Sequence, residues 1–526
     1  MNKLLLTSIL SILSVFCFSQ NFNGFALYNS QGDNTTYLID ENLNIAHTWT
    51  LTTECNYTVL LKDNGNIVRG TKNNSQTGGT TNALNGAASG GRLQEIDPMG
   101  NVVMDFIYSS SDYLSHHDIC LIGDNVLLTA WEVKTAAEIN ALGGNVTSDK
   151  WPTHLIEVAN DGNGGGQIVW EWHIWDHLIQ DTDPSKPNYG VISENPQLID
   201  INMITNSGGG PGGGGGDWFH VNGVDYNEDL DQIAFSSRFA SEIYIIDHST
   251  TTVEAASHSG GNSGMGGDIL YRWGNPSNYN MTGNQTIPNA VHDVRWIEDD
   301  GRPNGGFLQI FNNKGISNTQ STVDGIDTPI DPSNPYNYFR IAGQAYGPSS
   351  YSTRYVCAYS APGQSASDRM YNGNIFVNAS GGQGGAGVMY EVDPNGTIVW
   401  GPYNADSQKA FRYECEHPGI VALLPYMNSI ATTSCFSTSI DNTTEKLIAI
   451  YPNPSNGHVN IKLPLNFKFK NIKVHNSLGQ EILNLNNIND LNLLEIDLSL
   501  YPQGFYHFSI FEDNNKLYSH KLSLTK

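Results

Sequence analysis

The sequence is poor in positive charge. Its 526 residues include 26 Lys and Arg against 52 Asp and Glu, which gives a formal net charge of −26 at pH 7. So acidic a chain repels the phosphate backbone, and this disfavours nucleic acid as a partner. An anionic substrate would bind only where a local group of cations or hydrogen-bond donors overcomes that field.

Cysteine is also scarce. The chain has six cysteines and no Cys-x-x-Cys pair, so we expect no structural zinc site and assign no metal ligands. Beyond the first twenty residues, five cysteines are left, an odd number for an oxidising compartment. Cys415 and Cys435 are near enough in sequence to close a loop by a disulfide, although sequence alone does not fix the pairing.

Long apolar runs are missing after the N-terminus. Residues 1–19 carry Lys3, then an apolar run, then the small residue Ser19, which is typical of a secretory signal peptide. No other run approaches the length needed to span a bilayer, so no transmembrane segment is predicted.

Glycine and proline are abundant instead, with 54 and 22 residues. One unit recurs along the chain: two hairpins with polar Asp, Asn and Gly turns, the second often ending in Trp. First hairpins lie at 58–70, 117–131, 217–238, 292–313 and 369–381, and second hairpins at 37–49, 93–106, 155–172, 243–256 and 389–400. Repeated four-stranded sheets predict an all-β protein with a six-bladed β-propeller over residues 20–435.

Two further expectations follow from this pattern. The last blade should close by pairing residues 22–49 with the segment around 411–424. The segments 207–217 and 318–337, which are rich in glycine or polar residues, are predicted to be surface loops between strands.

Beyond residue 435 the character of the chain changes. A polar linker at 436–447 precedes short alternating strands over 448–526, which predict a small β-sandwich. YPNP at 451–454, LGQ at 478–480 and PQGFY at 502–506 resemble the C-terminal sorting domain of the bacterial type IX secretion system. The resemblance implies that this secretion machinery is a partner and that the protein is secreted or held at the cell surface.

The hairpin at 217–238 has the clearest chemical pattern. Its turn centre, Asp229, lies midway between His220 and Arg238, so antiparallel pairing sets these two residues opposite each other on one face. Asn222 shares that face because strand side chains repeat every second residue. An imidazole, a carboxamide and a guanidinium at one strand end indicate an oxyanion-binding site; the alternative is a buried polar cluster that satisfies itself.

Three first hairpins contain a histidine at the same position: His117, His220 and His292. Equivalent strand ends of a propeller point the same way, so these histidines should converge near its axis. Asp118 and Asp293 follow two of them, and a repeated structural contact between Asp and His is the competing interpretation.

The stretches at 217–248, ILYRWGNP at 269–276, HDVRW at 292–296 and GNIFVNASG at 373–381 resemble the arylsulfotransferase family of six-bladed propellers. The resemblance covers roughly residues 22–419. It implies transfer of a sulfuryl group from an aryl sulfate to a phenol, without a nucleotide or any other cofactor.

By motif, the resemblance implies that His292 is the nucleophile that becomes sulfurylated. It implies that His220, Asn222 and Arg238 hold the sulfuryl oxygens. His117 matches a further pocket histidine. His116 is an adjacent candidate for binding substrate.

Sequence leaves three functions open. The first is an exported sulfotransferase that acts through a sulfohistidine. The second is a non-catalytic adhesin or glycan-binding propeller, which has no need for a nucleophilic His292 facing Arg238. The third is an esterase that passes the group to water, and the choice between transferase and esterase depends on how far water reaches the site.

Overall fold

The computed structural model describes residues 24–30, 33–73, 84, 86–203, 216–382, 386–428, 449–462, 471–476, 480–486, 493–512 and 515–525. The chain divides into two compact units, Met1–Cys435 and Phe436–Lys526. The predicted signal peptide at 1–19 and the linker at 436–447 lie outside the described residues. No helix within the described ranges is long and apolar enough to cross a membrane.

The first unit consists almost entirely of short strands. In chain order they are β1 (Gly24–Asn29), β2 (Thr35–Ile39), β3 (Ile45–Thr50), β4 (Cys55–Leu61), β5 (Ile67–Lys72), β6 (Gly91–Ile96), β7 (Val102–Ile107), β8 (Tyr113–Ile122), β9 (Asn125–Glu132), β10 (Thr153–Asn160), β11 (Gly166–His173), β12 (Leu178–Ile179), β13 (Ile199–Asp200), β14 (Val221–Asn227), β15 (Gln232–Ser237), β16 (Glu242–Asp247), β17 (Tyr271–Gly274), β18 (Val291–Trp296), β19 (Leu308–Ser317), β20 (Gln320–Ile326), β21 (Ile330–Asp331), β22 (Asn334–Tyr338), β23 (Thr353–Val356), β24 (Ala366–Arg369), β25 (Ile375–Ala379), β26 (Gly387–Val392), β27 (Ile398–Ala405) and β28 (Ala410–Glu414). The helices are α1 (Ala136–Ala141), α2 (Thr252–Ala255), α3 (Pro418–Leu423) and short 3₁₀ turns at Ile174–His177, Ile192–Glu194, Pro276–Tyr279 and Leu424–Tyr426.

These strands form a ring of antiparallel sheets. Within the described residues of this unit, six sheets have four strands each: β28-β1-β2-β3, β4 to β7, β8 to β11, β14 to β17, β18-β19-β20-β23 and β24 to β27. The innermost strands contact one another in the order β28, β4, β8, β14, β18, β24 and back to β28. The predicted all-β propeller is therefore confirmed; the number of blades stays a prediction, to which these six sheets correspond.

The ring closes by pairing its two chain ends. Strand β28 is antiparallel to β1, from Gly24 opposite Glu414 to Tyr28 opposite Ala410, as the predicted closure requires. The end of the predicted partner segment is helical instead, because Pro418 begins α3 in the first turn, where a missing N–H costs nothing.

Two sequence predictions are wrong in detail. The second half of the hairpin expected at 243–256 is α2, whose N-terminus is fixed by a capping box between Thr251 and Glu254. The segment 318–337 is no surface loop, since β20 is the third strand of its sheet. Its polar residue Asp324 is buried because Arg354 of β23 donates to it from Nε at 2.7 Å.

Four of the cysteines lie within the described residues. Cys415 is disulfide-bonded, whereas Cys55, Cys120 and Cys357 are free and buried. Cys435, the partner expected from sequence, lies outside the described residues.

A buried lysine lies where the inner strands meet. Lys409, directly before β28, is fully buried between Asp118 of β8 and Asp293 of β18. Its Nζ lies 2.7 Å from Asp118 Oδ2 and 3.0 Å from Asp293 Oδ1. One cation therefore joins three inner strands.

The two aspartates extend this contact to the other three inner strands. Asp118 accepts hydrogen bonds from Thr58 Oγ1 of β4 at 2.6 Å and from the Val224 amide of β14 at 3.0 Å, and Asp293 accepts from the Ser367 amide of β24 at 2.9 Å. Every inner strand thus contributes a group to one network around Lys409.

The second unit is the predicted small sandwich. Its strands are β29 (Ala449–Tyr451), β30 (His458–Lys462), β31 (Asn471–Asn476), β32 (Glu481–Asn486), β33 (Leu493–Asp497), β34 (Gly504–Glu512) and β35 (Asn515–Leu524). They form sheets of order β29-β30-β33 and β32-β31-β34-β35. Both sheets supply one apolar core, for example Ile461 from the first and Phe508 from the second.

Replacing Lys409 should destabilise the first unit strongly. Lys409→Met leaves two buried carboxylates without their cation, and breaking a buried pair in this way costs about 3–5 kcal/mol. Lys72→Met is the control, because Lys72 and Glu54 form a partly exposed pair, worth about 1 kcal/mol or less. Urea unfolding followed by circular dichroism compares the two variants, and equal small effects would contradict a central role for Lys409.

Candidate active site

Four inner strands are interrupted by a β-bulge near their N-terminal ends. The register shifts fall between Cys55 and Val59 in β4, Ser115 and Ile119 in β8, Val221 and Gly223 in β14, and His292 and Arg295 in β18. A bulge breaks the strict alternation of side chains and re-aims them. Consecutive residues such as His292 and Asp293 can therefore both reach the middle of the ring.

Three residues at these bulges or directly before them are in the left-handed backbone region. His117, His220 and Asp293 have φ angles of 46°, 50° and 52°. This region costs a residue with a side chain roughly 1–2 kcal/mol, and such strain collects at functional sites. All three residues are buried, so the surrounding packing maintains the strained conformation.

The structure brings the predicted histidines together. The ring centroids of His117 and His220 lie 4.6 Å apart, and His116 lies 5.0 Å from His117. Nε2 of His116, His117, His220 and His292 is buried in each case, with no hydrogen-bond partner among the described residues. The hydrogen-bonding capacity of the cluster is therefore not met within it, and each unpaired buried polar atom costs about 1–3 kcal/mol.

The competing interpretation, a repeated contact between each histidine and the aspartate after it, does not hold. Asp118 and Asp293 turn to Lys409 instead of to His117 and His292.

One tautomer of His292 is fixed by two acceptors. Its Nδ1 lies 2.8 Å from the Ala290 carbonyl and 2.7 Å from Asn313 Oδ1. Asn313 is oriented in turn, because its Nδ2 donates to the carbonyls of Ala361 and Gln364 at 3.1 Å each. Nδ1 of His292 therefore carries the proton and Nε2 carries the lone pair.

The electrostatics keep His292 neutral. Burial lowers its pKa well below the ordinary value, and the charges of Arg238 and His220 lower it further. Burial likewise lowers the pKa of His117, helped by His220, and brings that of His116 to about 3. An unprotonated imidazole with an unpaired Nε2 can act as a nucleophile.

His220 is paired with a buried carboxylate. Its Nδ1 lies 2.5 Å from Asp217 Oδ2, while Asp217 Oδ1 accepts from Trp131 Nε1 at 3.1 Å. Burial alone would raise the pKa of Asp217, but His220 lowers it below the ordinary value, so the carboxylate stays ionised. Asp217 is thus buried, although sequence predicted it at the end of a surface loop.

Arg238 lies opposite His220, as the sequence of the hairpin predicted. The Arg238 amide donates to the His220 carbonyl at 3.2 Å. Its guanidinium is half-buried, and within the described ranges it makes no hydrogen bond or ion pair. Burial lowers the pKa of Arg238, partly offset by Asp217, yet a guanidinium remains charged near neutral pH. It offers a fork of donors to an oxyanion.

Asn222 occupies the bulge of β14. Its Nδ2 donates to the Val291 carbonyl at 2.8 Å, and its Oδ1 accepts from Ser236 Oγ at 2.7 Å. The strands approach closely here, since a Cβ on Gly223 would lie 2.7 Å from the Asp293 nitrogen. Asn222 therefore joins β14 to β18 and keeps one amide hydrogen for a ligand.

His116 lies behind His117. Its ring stacks on Trp131 at 4.0 Å, and its Nδ1 lies 2.8 Å from Nδ1 of His117. One of these nitrogens must donate and the other accept, so the two neutral rings have opposite tautomers. One of the pair then presents an N–H at Nε2 and the other a lone pair.

Three residues of this site were missed by sequence reasoning: Asp217, Asn313 and Lys409. Asp217 lies three residues before His220, and Asn313 is the second of two consecutive asparagines on β19. Neither pattern is specific enough to predict a site residue. Lys409 is a single cation before the closing strand. Its partners are remote in sequence, so no spacing reveals it.

Other polar groups of the first unit include none of the four histidines. A cavity of about 930 Å³ at the C-terminal ends of the inner strands includes Asp225, Arg295 and Asp368. Two groups among the described residues could hold a metal ion: one of Glu132, His154 and His173, the other of His177, His258 and Asp268.

Family models match both units. The model described as arylsulfotransferase (ASST) matches residues 16–338, and that described as secretion system C-terminal sorting domain matches residues 449–524. No curated protein matches the chain.

Solved structures resemble the chain only distantly. A putative 6-phosphogluconolactonase from Bacteroides uniformis is 10% identical, with a TM-score of 0.34, over 92% of this chain and 99% of that one. Hydrazine synthase of Kuenenia stuttgartiensis is 14% identical, with a TM-score of 0.31, over 58% and 67%. The Dos1 propeller is 8% identical, with a TM-score of 0.31, over 74% and 88%. Similarity at this level assigns neither fold nor function.

Histidine labelled with ¹⁵N tests the tautomer of His292. We expect an unprotonated Nε2 resonance that stays in place from about pH 7.5 to about pH 5.5, because the pKa of His292 lies well below the ordinary 6.5. Comparison with His292→Gln assigns the signal. Asn313→Leu removes one acceptor and should mix the tautomers. A wild-type signal that titrates near the ordinary histidine pKa would contradict the fixed tautomer.

Proposed function

This chain belongs to the arylsulfotransferase family and ends in a secretion sorting domain, and from that premise we propose a sulfohistidine mechanism. The exported enzyme moves a sulfuryl group from an aryl sulfate to a phenol, and His292 carries the group between them. One observation supports this most directly. Nδ1 of His292 donates to Ala290 and Asn313, so the lone pair is on Nε2, close to the charge of Arg238.

In the first step, His292 Nε2 attacks the sulfur. An N–S bond forms, and the bond from sulfur to the aryl oxygen breaks with its electron pair leaving on the phenolate. The imidazole ring becomes positive as it accepts the group. Asn313 and Ala290, which already accept its Nδ1–H, stabilise that charge without moving.

Arg238 holds the sulfuryl oxygens. Transfer of such a group should resemble phosphoryl transfer, whose loose transition state spreads charge over the oxygens and is catalysed by positioning and electrostatics. The fork of Arg238 binds two oxygens, and the remaining amide hydrogen of Asn222 can bind a third. Loss of one such donor typically lowers the rate about 10²–10³-fold.

His220 is suited to move the proton. Asp217 accepts from its Nδ1 and balances the charge of an imidazolium ring, whose Nε2–H passes to the departing phenolate; the ring, then neutral, takes a proton at Nε2 from the accepting phenol. That phenol then attacks sulfur, an O–S bond forms, the N–S bond breaks, and His292 is neutral again. The N–H at Nε2 of His116 or His117 is a second donor for the phenolic oxygen.

Burial favours transfer to a phenol over transfer to water. All four Nε2 atoms are buried, so an aryl sulfate reaches them only when neighbouring side chains move. An acceptor that fills the same space excludes water while the sulfohistidine exists. This supports a transferase more than an esterase.

Intact mass after brief exposure to a chromogenic aryl sulfate tests the mechanism. We expect the mature wild-type protein to gain one sulfuryl group with a burst of phenol, and His292→Ala to show neither. Arg238→Met should react about 10²–10³-fold more slowly. His258→Gln is the control, because this exposed histidine contacts His177 and Asp268 and not the pocket.

Addition of a second phenol separates the alternatives. Transfer of the group to that phenol establishes the sulfotransferase. Steady phenol release without a sulfated acceptor would make the protein an esterase. Neither mass gain nor phenol release across several aryl sulfates would overturn the enzyme and leave a binding propeller.

A further inference from the structure

A second group of polar side chains lies on the outer strands of the sheet that carries His117. Glu132 at the end of β9, His154 in β10 and His173 at the end of β11 each offer one ligand atom, and these atoms lie within 4.8 Å of one another. His154 and His173 are directly opposed in the sheet, and their rings stack with centroids 4.9 Å apart.

His154 has an unpaired nitrogen in this group. The residue is only 1% exposed, and its Nδ1 has no hydrogen-bond partner within the described part of the chain. Its other nitrogen, Nε2, lies 2.8 Å from the Tyr108 hydroxyl, which comes from the neighbouring sheet. A histidine that binds a metal usually donates its second N–H to such a polar partner, and this fixes the ligating tautomer.

We propose that Glu132, His154 and His173 bind one divalent transition-metal cation. Two imidazoles and a carboxylate suit zinc and its neighbours, whereas calcium and magnesium prefer oxygen ligands alone. The carboxylate of Glu171, whose Oε2 lies 3.4 Å from His173 Nε2, can accept the N–H of that nitrogen and so leave Nδ1 free to bind the metal.

The charges around the group permit this. Lys134 Nζ contacts Glu132 Oε2 at 2.7 Å and leaves Oε1 facing His173 Nδ1 at 3.1 Å. The cation takes the place of the proton shared by Oε1 and Nδ1, and that proton passes to solvent. Zinc with bonds of about 2.0–2.1 Å draws its ligand atoms to about 3.4 Å apart. The half-buried Glu132 and His173 supply that movement.

The other candidate group lacks a free nitrogen of this kind. Nδ1 of His177 contacts Asp268 Oδ1 and its Nε2 contacts the Ala255 carbonyl, both at 2.8 Å. Asp268 Oδ1 also contacts His258 Nδ1 at 2.7 Å. These side chains satisfy one another, so His258 provides the matched control.

The test is a zinc titration of the full chain, prepared without a histidine tag and treated with a chelator. Calorimetry and metal analysis should show one bound zinc per chain. His173→Gln removes a half-buried ligand, and His154→Gln removes a buried one. Loss of a residue that only hydrogen-bonds a ligand weakens metal binding about 10–100-fold, so loss of a ligand itself should weaken zinc binding by more than this. Circular dichroism checks the fold of each variant, and His173→Gln suffices if His154→Gln does not fold.

Two controls locate the ion. His258→Gln and His117→Gln should keep the wild-type zinc affinity. Loss of binding in either control with retention in His173→Gln would overturn the proposal, as would a wild-type protein that binds no zinc. The readout needs no aryl sulfate, so its outcome is independent of the proposed activity.

Discussion

Lys409 lies between Asp118 and Asp293, and the arrangement of the candidate site depends on this buried contact because each aspartate follows one of the clustered histidines. Removing such charges from water costs several kcal/mol each unless their geometry is well matched. The pairing therefore fixes how β8, β18 and β28 approach one another. His117 and His292, one residue away on the same backbones, are placed by the same constraint.

The β-bulges convert that constraint into a cluster of histidines. In a regular strand, His292 and Asp293 would point to opposite faces, and only one could reach the centre. The bulge and the left-handed conformation of Asp293 let both do so. Asn313 then orients His292, the proposed nucleophile, by holding its proton on Nδ1. The groups that need to be oriented before the reaction are thus already oriented in the free protein.

Sequence predicts what local periodicity determines. The position of Asp229 in its turn predicted His220 opposite Arg238, and in the structure the β-bulge between Val221 and Gly223 completes that register. The repeated hairpin predicted that His292 lies near them. Contacts that arise only when the ring closes were beyond reach, because Asn313 and Lys409 meet partners from other strands or loops. Capping at Thr251 and the burial of Asp324 were missed for a related reason. Composition alone predicts a loop for any polar segment, because the partners that bury its polar side chains come from elsewhere in the chain.

Whether so acidic a protein can bind an anion depends on the charges that lie close to the binding site. Exposed charges more than about 10 Å apart are largely screened at an ionic strength of 0.1 M. The carboxylates nearest the site already have partners: Asp217 has His220, and Asp118 and Asp293 share Lys409. Arg238 is left as a single cation without a partner among the described residues. One positive charge matches the single negative charge of an aryl sulfate, whereas a phosphate monoester, with a charge of about −1.5 to −2, would need a second cation. The local charge thus favours sulfate esters over phosphate esters.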